Sequence, residues 1–140
     1  MKTLFLDANV FFAATLSESG ASRGIFDLGA LGKVKLVSSL YVLNEAKRNI
    51  DKKLGNEYLP VFLGLVSVLN GVDKRWPSEK YVEDYGDLIV KKDLPVLVSA
   101  ANLGVNFLIT LDQKDFKTNK LQAADLPFKI MLPGEFLQSL

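Results

Sequence analysis

Short apolar runs alternate with helix-patterned segments along this chain, and that alternation leaves few folds open. Residues 3–6 (TLFL) read as a buried strand, because the run is short, apolar and aromatic-containing. ANVFFAATL follows with helical spacing, then a break at SESGAS. SRGIFDLGAL is expected to form a second helix that buries Ile25, Leu28 and Leu31 and stops at Gly32. VKLVSS is the next strand, and Ser39 is placed to cap a helix from Leu40 to Leu54, with Leu40, Leu43, Ala46, Ile50 and Leu54 on one face and Gly55 as its stop. NEYLPVFLGLVSVLNG reads as a helix with Pro60 in its first turn, VDKRW as a short strand, and SEKYVEDYGDLIV as helical up to Tyr85. KKDLPVLVSAANLG is a helix announced by Asp93 and Pro95 and closed by Gly104. NFLIT is a strand, LDQKDFKTN a loop, FKIM a last strand and PGEFLQSL a terminal turn. Strands that alternate with helices are most economically a parallel sheet covered on both faces, so we expect a three-layer α/β/α domain spanning 1–140.

Composition narrows the chemistry. The chain has neither cysteine nor histidine, which excludes disulfides, thiolate chemistry, a histidine-dependent triad and zinc held by either residue. Acid–base or metal chemistry must come from the 16 Asp and Glu. A net charge of +1 gives no global attraction to nucleic acid, so a basic footprint has to be local. The amino-terminal stretch MKTLFLDAN is interrupted by Asp7 and lacks a cleavage site for secretion. VFLGLVSVL is far shorter than the roughly 20 residues that span a bilayer. A cytoplasmic protein is the expectation.

In open parallel sheets, chemistry gathers at the carboxyl ends of the strands. Asp7 directly follows the first strand, Asp112 lies two residues past NFLIT, and Asp115 three further on. Glu45 sits on the helix after VKLVSS, and Asp93 opens the helix that leads into NFLIT. Carboxylates gathered at one edge repel one another, and a divalent cation reverses that cost. Oxygen ligands without His or Cys suit Mg²⁺ or Mn²⁺, ions that activate water and stabilise phosphoryl oxygens. Simpler roles compete. Asp93 reads equally as a helix cap, Glu45 as a solvated surface acid, and Asp112 and Asp115 as turn-formers. An acid straight after a buried strand, such as Asp7, is expensive unless partnered.

Four segments in order, FLDANVFFAATLSESGASRGIFDL, LVSSLYVLNEAKRNI, KKDLPVLVSAANLGVNFLITLDQKDF and FKIMLPGEFL, resemble the PIN-domain nuclease family, most closely toxins of VapC-type toxin–antitoxin modules. The resemblance covers nearly the whole chain and leaves residues 55–85 unmarked. It implies a PIN-like fold and a metal site of Asp7, Glu45, Asp93 and Asp112 that holds Mg²⁺ or Mn²⁺ for RNA cleavage, with Asn9, Thr110 and Asp115 as helpers. It further implies an RNA substrate, an antitoxin partner and a homodimer. Two departures are Leu111, where a small or polar residue is commoner, and a first loop lengthened at Gly20–Arg23.

Rival readings fail at named residues. A haloacid-dehalogenase-type phosphatase needs an acid–base carboxylate two positions after its first Asp, where this chain has Asn9; a receiver domain needs adjacent acids there. A non-toxin PIN nuclease and a catalytically idle PIN module remain as alternatives, although all four acids are present. RNA contact is expected from Lys47, Arg48, Lys52 and Lys53 beside Glu45, from Lys91 and Lys92 before Asp93, and from Lys114 and Lys117 beside Asp112. Tyr41 and Trp76 are candidates to stack on bases. The VFLGLVSVL helix reads first as core, with a dimer or antitoxin surface as the second reading.

Overall fold

The computed structural model describes residues 1–75 and 83–140. Among them five strands form one all-parallel sheet: β1 (Thr3–Leu6), β2 (Lys35–Ser39), β3 (Gly71–Asp73), β4 (Phe107–Ile109) and β5 (Lys129–Met131). Their order across the sheet is β3-β2-β1-β4-β5. The chain therefore walks outward from β1 in one direction, then returns to β1's other side. Strands covered on both faces need apolar residues throughout rather than in alternation, which is why TLFL is a continuous run. Leu4, Phe5 and Leu6 are all fully buried, as are Leu108 and Ile109 of β4.

The helices are α1 (Ala8–Leu16), α2 (Ala21–Ala30), α3 (Leu40–Lys53), α4 (Leu59–Val66), α5 (Leu94–Asn102), α6 (Gln113–Phe116), α7 (Asn119–Ala123) and α8 (Pro133–Gln138), with 3₁₀ turns at Asn56–Tyr58 and Lys91–Asp93. Parallel strands are almost always joined by right-handed crossovers, which put the helices of the outward and return halves on opposite faces and account for the α/β/α layering. α1 packs on α2, α3 and α4, while α5 packs on β2. Phe11 anchors the first of these layers, with its ring 5.2 Å from Phe26 and 6.0 Å from Phe62, both edge-on.

Local punctuation agrees with the sequence. Ser39 accepts a hydrogen bond from the Val42 amide (3.2 Å), and Gly55 and Gly104 end their helices with φ of +93° and +62°, which glycine alone adopts without strain. Several details differ. LDQKDFKTN holds α6 and the start of α7 rather than a loop, because Asp112 and Thr118 each cap a short turn. PGEFLQSL forms α8, fixed by Glu135 accepting from the Leu132 amide. Gly20–Arg23 is the start of α2 rather than a lengthened loop, and the Arg23 guanidinium donates to the Ala14 carbonyl at the end of α1.

Two apolar positions expected in the core are outside it: Leu31 is 69% exposed and Leu40 45% exposed. In their helices Ile25 and Phe26, and Val42, Ala46 and Ile50, take the buried positions. In α4, Phe62 and Leu65 enter the core while Val61 and Leu63 stay exposed. The helix expected over 78–85 falls mainly on residues outside the described ones, with Glu83–Tyr85 helical.

Because β4 is paired on both sides and Leu108 is fully buried, Leu108→Ala should cost about 2–5 kcal/mol. Urea unfolding checks this. A loss below about 1 kcal/mol would contradict a packed central strand.

Candidate active site

β1 and β4 lie side by side at the point where strand order reverses, the place where parallel sheets open a crevice. The Asp7 amide extends their ladder by one bond, donating to the Ile109 carbonyl at 3.0 Å. This brings Asp7 beside Thr110. One Asp7 oxygen, Oδ1, caps α1 by accepting from the Ala8 amide (2.8 Å). The other, Oδ2, accepts from the Thr110 hydroxyl (2.8 Å) and from the Asn9 amide group (3.3 Å). Thr110 Oγ1 also accepts from Asn9 Nδ2 (3.2 Å) and from the Asp112 backbone (3.1 Å). Asn9 Oδ1 receives the Leu111 amide at 2.9 Å. Asn9 and Thr110 thus lock the strand end to the first turn of α1, with Asp7 between them.

Asp7 is buried, and the loss of solvent pushes its pKa up to about 6, against the opposing hydrogen bonds from Thr110 and Ala8 and with the charges of Glu45 and Asp112 adding to the rise. Asp93 is raised further, to about 8, first by burial, then by its hydrogen bond with Asp115 and by the charge of Asp7. Asp115 is held below the usual range, first by its interaction with Asp93.

Asp93 opens α5 without making a capping bond, and its Oδ2 is buried without a hydrogen-bond partner. Capping therefore does not explain this acid. Asp112 does cap, accepting from the Asp115 amide at 3.0 Å. Oxygens of Asp93, Asp112 and Asp115 all lie within 4.8 Å of one another. Asp115, expected as a helper, lies next to Asp93 and Asp112 but lines a neighbouring cavity rather than the cleft. Asp7 and Glu45 line the same cleft, of about 280 Å³, together with Asn9, Asp93 and Asp112. The structure thus brings all four expected acids to one cavity.

The cations distribute unevenly. Lys92 lines the cleft and reaches Asp115 at 3.8 Å. Lys53 also lines it, with its ammonium 5.7 Å from the ring centre of Phe12. Lys47, Lys52, Lys91 and Lys114 are exposed outside its lining. Lys117 is turned to β5, bonded to the Ile130 carbonyl (3.0 Å) and to Glu135 (3.2 Å). Arg48 and Tyr41 line a neighbouring cavity, and Trp76 lies outside the described residues. Sequence reading missed Asn49 and Phe12 in the cleft. Asn49 follows Glu45 by one turn of α3, a spacing that places it on the same face.

The donor set fits a hard divalent cation. It is oxygen-only, three carboxylates are in mutual reach, and one buried oxygen is without a partner.

Neither a protein-family model nor a curated protein matches the sequence. Solved structures do. A VapBC complex of Rickettsia felis bound to promoter DNA aligns with a TM-score of 0.68 over 93% of this chain and 98% of that one, at 17% identity. A DNA-bound VapBC of Salmonella typhimurium aligns at 0.67 over 95% and 99%, with 18% identity. A Mycobacterium tuberculosis VapC toxin that cleaves the sarcin–ricin loop aligns at 0.56 over 88% and 95%, with 14% identity.

Proposed function

We propose that the protein is a metal-dependent ribonuclease, the toxin of a toxin–antitoxin module, acting on cytoplasmic RNA. Its acidic cleft and the PIN-like α/β/α fold that it shares with VapC toxins support this reading, and no helix among its described residues is long and apolar enough to cross a membrane. One observation carries the reading: Asp93 and Asp112 line a cleft together with Asp7 and Glu45, and their oxygens lie within 4.8 Å of each other and of an Asp115 oxygen. The fold shared with a toxin that cleaves the sarcin–ricin loop supports RNA as substrate, and the fold shared with antitoxin-bound complexes supports an antitoxin partner. The exposed Val61 and Leu63 of α4 suit a protein interface, with a second copy in a homodimer or with the antitoxin.

Asp7, Glu45, Asp93 and Asp112, which line the cleft, would hold Mg²⁺ or Mn²⁺ there, with Asp115 beside them. Such an ion supplies a water of lowered pKa and neutralises charge developing on phosphoryl oxygens. The side chains do the rest. Thr110 and Asn9 orient Asp7 through the hydrogen bonds described above. The raised pKa of Asp93 means that a cation would compete with a proton there, so metal affinity should increase with pH. Lys92 and Lys53 balance the acids and draw a phosphodiester into the cleft. The chain has no histidine or cysteine, so water is the attacking group rather than a side chain.

The test is cleavage of RNA by the purified protein with Mn²⁺, and with excess EDTA. Cleavage with Mn²⁺ and none with EDTA is the expected result. Unchanged cleavage in EDTA would overturn the metal-dependent mechanism.

A further inference from the structure

A second cavity, of about 200 Å³, adjoins the acidic cleft, and α3 is their common wall. Helix geometry dictates the sharing. Glu45, Asn49 and Lys53 recur every four residues and face the acids. Tyr41, Asn44 and Arg48 form the adjacent stripe and face the second cavity. Its far wall is built by Lys74 and Arg75, just past β3, and by Ser99 of α5. The Tyr41 hydroxyl donates to the Lys92 carbonyl at 2.7 Å, next to Asp93, so this ring stands between the two cavities.

The two cavities have opposite charge. No carboxylate lines the second one among the described residues, whereas Arg48, Lys74 and Arg75 do. Arg75 is paired through Nε with Asp73 at 3.0 Å. Arg48 and Lys74 have no carboxylate partner among the described residues. Scattered surface cations are simply hydrated. Here cations from two separate elements converge in a concavity with the apolar walls Leu40 and Pro95, where their fields add. An anion-binding hollow one helix stripe away from an acidic, cation-seeking cleft matches a substrate whose phosphates repeat along a strand.

We propose that this cavity is a flanking-phosphate subsite for RNA. Arg48, Lys74 and Arg75 neutralise backbone phosphates next to the scissile one, and the ring of Tyr41 lies alongside the nucleoside between them. The inference rests on the ribonuclease reading for the identity of its ligand. It also goes beyond that reading, because it sets the path of the strand: over α3, from the acids toward the end of β3. Contacts to phosphate carry no base information, so the subsite adds affinity without sequence preference.

The test uses the full-length Asp112→Asn protein, which retains the cap at that position and is expected not to cleave, with a labelled single-stranded oligoribonucleotide as probe. Anisotropy is read against salt. Adding Arg48→Ala and Lys74→Ala should weaken binding about tenfold for unrelated sequences alike and reduce the salt slope by about 1.4, the value for two phosphate contacts on a single strand. Lys33→Ala with Lys129→Ala, at the amino ends of the strands and away from both cavities, should leave the slope as it was. In otherwise wild-type protein with Mn²⁺, the Arg48/Lys74 pair should raise KM while kcat stays within about twofold. An unchanged slope, or a fall in kcat at constant KM, would overturn the subsite and leave the nuclease reading intact; the cavity would then serve another anion, such as an acidic peptide. Salt-sensitive binding that depends on Arg48 and Lys74, in a protein that cleaves no RNA, supports the subsite and removes the nuclease reading. A parent protein that binds no oligoribonucleotide overturns both.

Discussion

Asp112→Asn should lower RNA cleavage by roughly 10²–10⁴-fold, which corresponds to the several kcal/mol that a correctly held metal contributes to a phosphoryl transition state. The loss should come without unfolding, because Asn also caps helices and Asp112 caps α6. Asp115→Asn should lower cleavage as well, since its oxygen lies within 4.8 Å of those of Asp93 and Asp112. Replacing the orienting groups is expected to be milder: Thr110→Val or Asn9→Ala should cost about 10–100-fold. Rate measurements under saturating Mn²⁺, with thermal melts as the folding control, separate the two classes. Full activity in Asp112→Asn would remove this carboxylate from the mechanism.

The second large effect is on stability, with opposite signs in the presence and absence of metal. The pKa of Asp7 is raised from 3.8 to about 6 in the folded chain. A raised value means that the folded state prefers the protonated acid. The corresponding stability is fully present below about pH 4 and is lost as pH rises through about 6, a ceiling of about 3 kcal/mol for this one group. Asp93, with a pKa of about 8, extends the decline toward higher pH. Metal-free protein should therefore melt at lower temperature as pH rises from 4 to 8. Asp7→Asn removes the buried charge and keeps the cap on α1, so the metal-free variant should melt higher than wild type at pH 7.5, by roughly 2–8 °C. Saturating Mn²⁺ should raise the melting temperature of wild type and have much less effect on the variant. A metal-free variant less stable than wild type would show that the hydrogen bonds to Thr110 and Asn9 outweigh the cost of the buried charge.

The sequence by itself determined the elements and the kind of chemistry. An apolar run of four residues that ends in an acid is a local fact, and it placed Asp7 at a strand end, as NFLIT placed Asp112. Ser39, Gly55 and Gly104 mark helix boundaries through their own backbone and side-chain preferences, which need no partner elsewhere in the chain. The absence of His and Cys limits the donors to oxygen by composition alone, whatever fold the chain adopts.

Everything that depends on neighbours was decided by the tertiary structure. Periodicity puts Leu31 and Leu40 on apolar stripes, yet both are exposed, because what covers a stripe is set by the element packed against it. Capping and ligation make the same local demand on Asp93. Only the packing that leaves its Oδ2 buried and unpartnered, close to Asp112 and Asp115, distinguishes them. Lys117 follows Asp112 closely in sequence but is held by Ile130 and Glu135, while Lys53, distant in sequence, lines the cleft. The basic cavity joins Arg48 to Lys74 and Arg75 across β3, a pairing that no spacing along the chain announces. The physical reason is common to all of these. Propensity and periodicity act within a few residues, whereas the β3-β2-β1-β4-β5 order, set by which strands hydrogen-bond edge to edge beneath the helices, determines which distant charges meet.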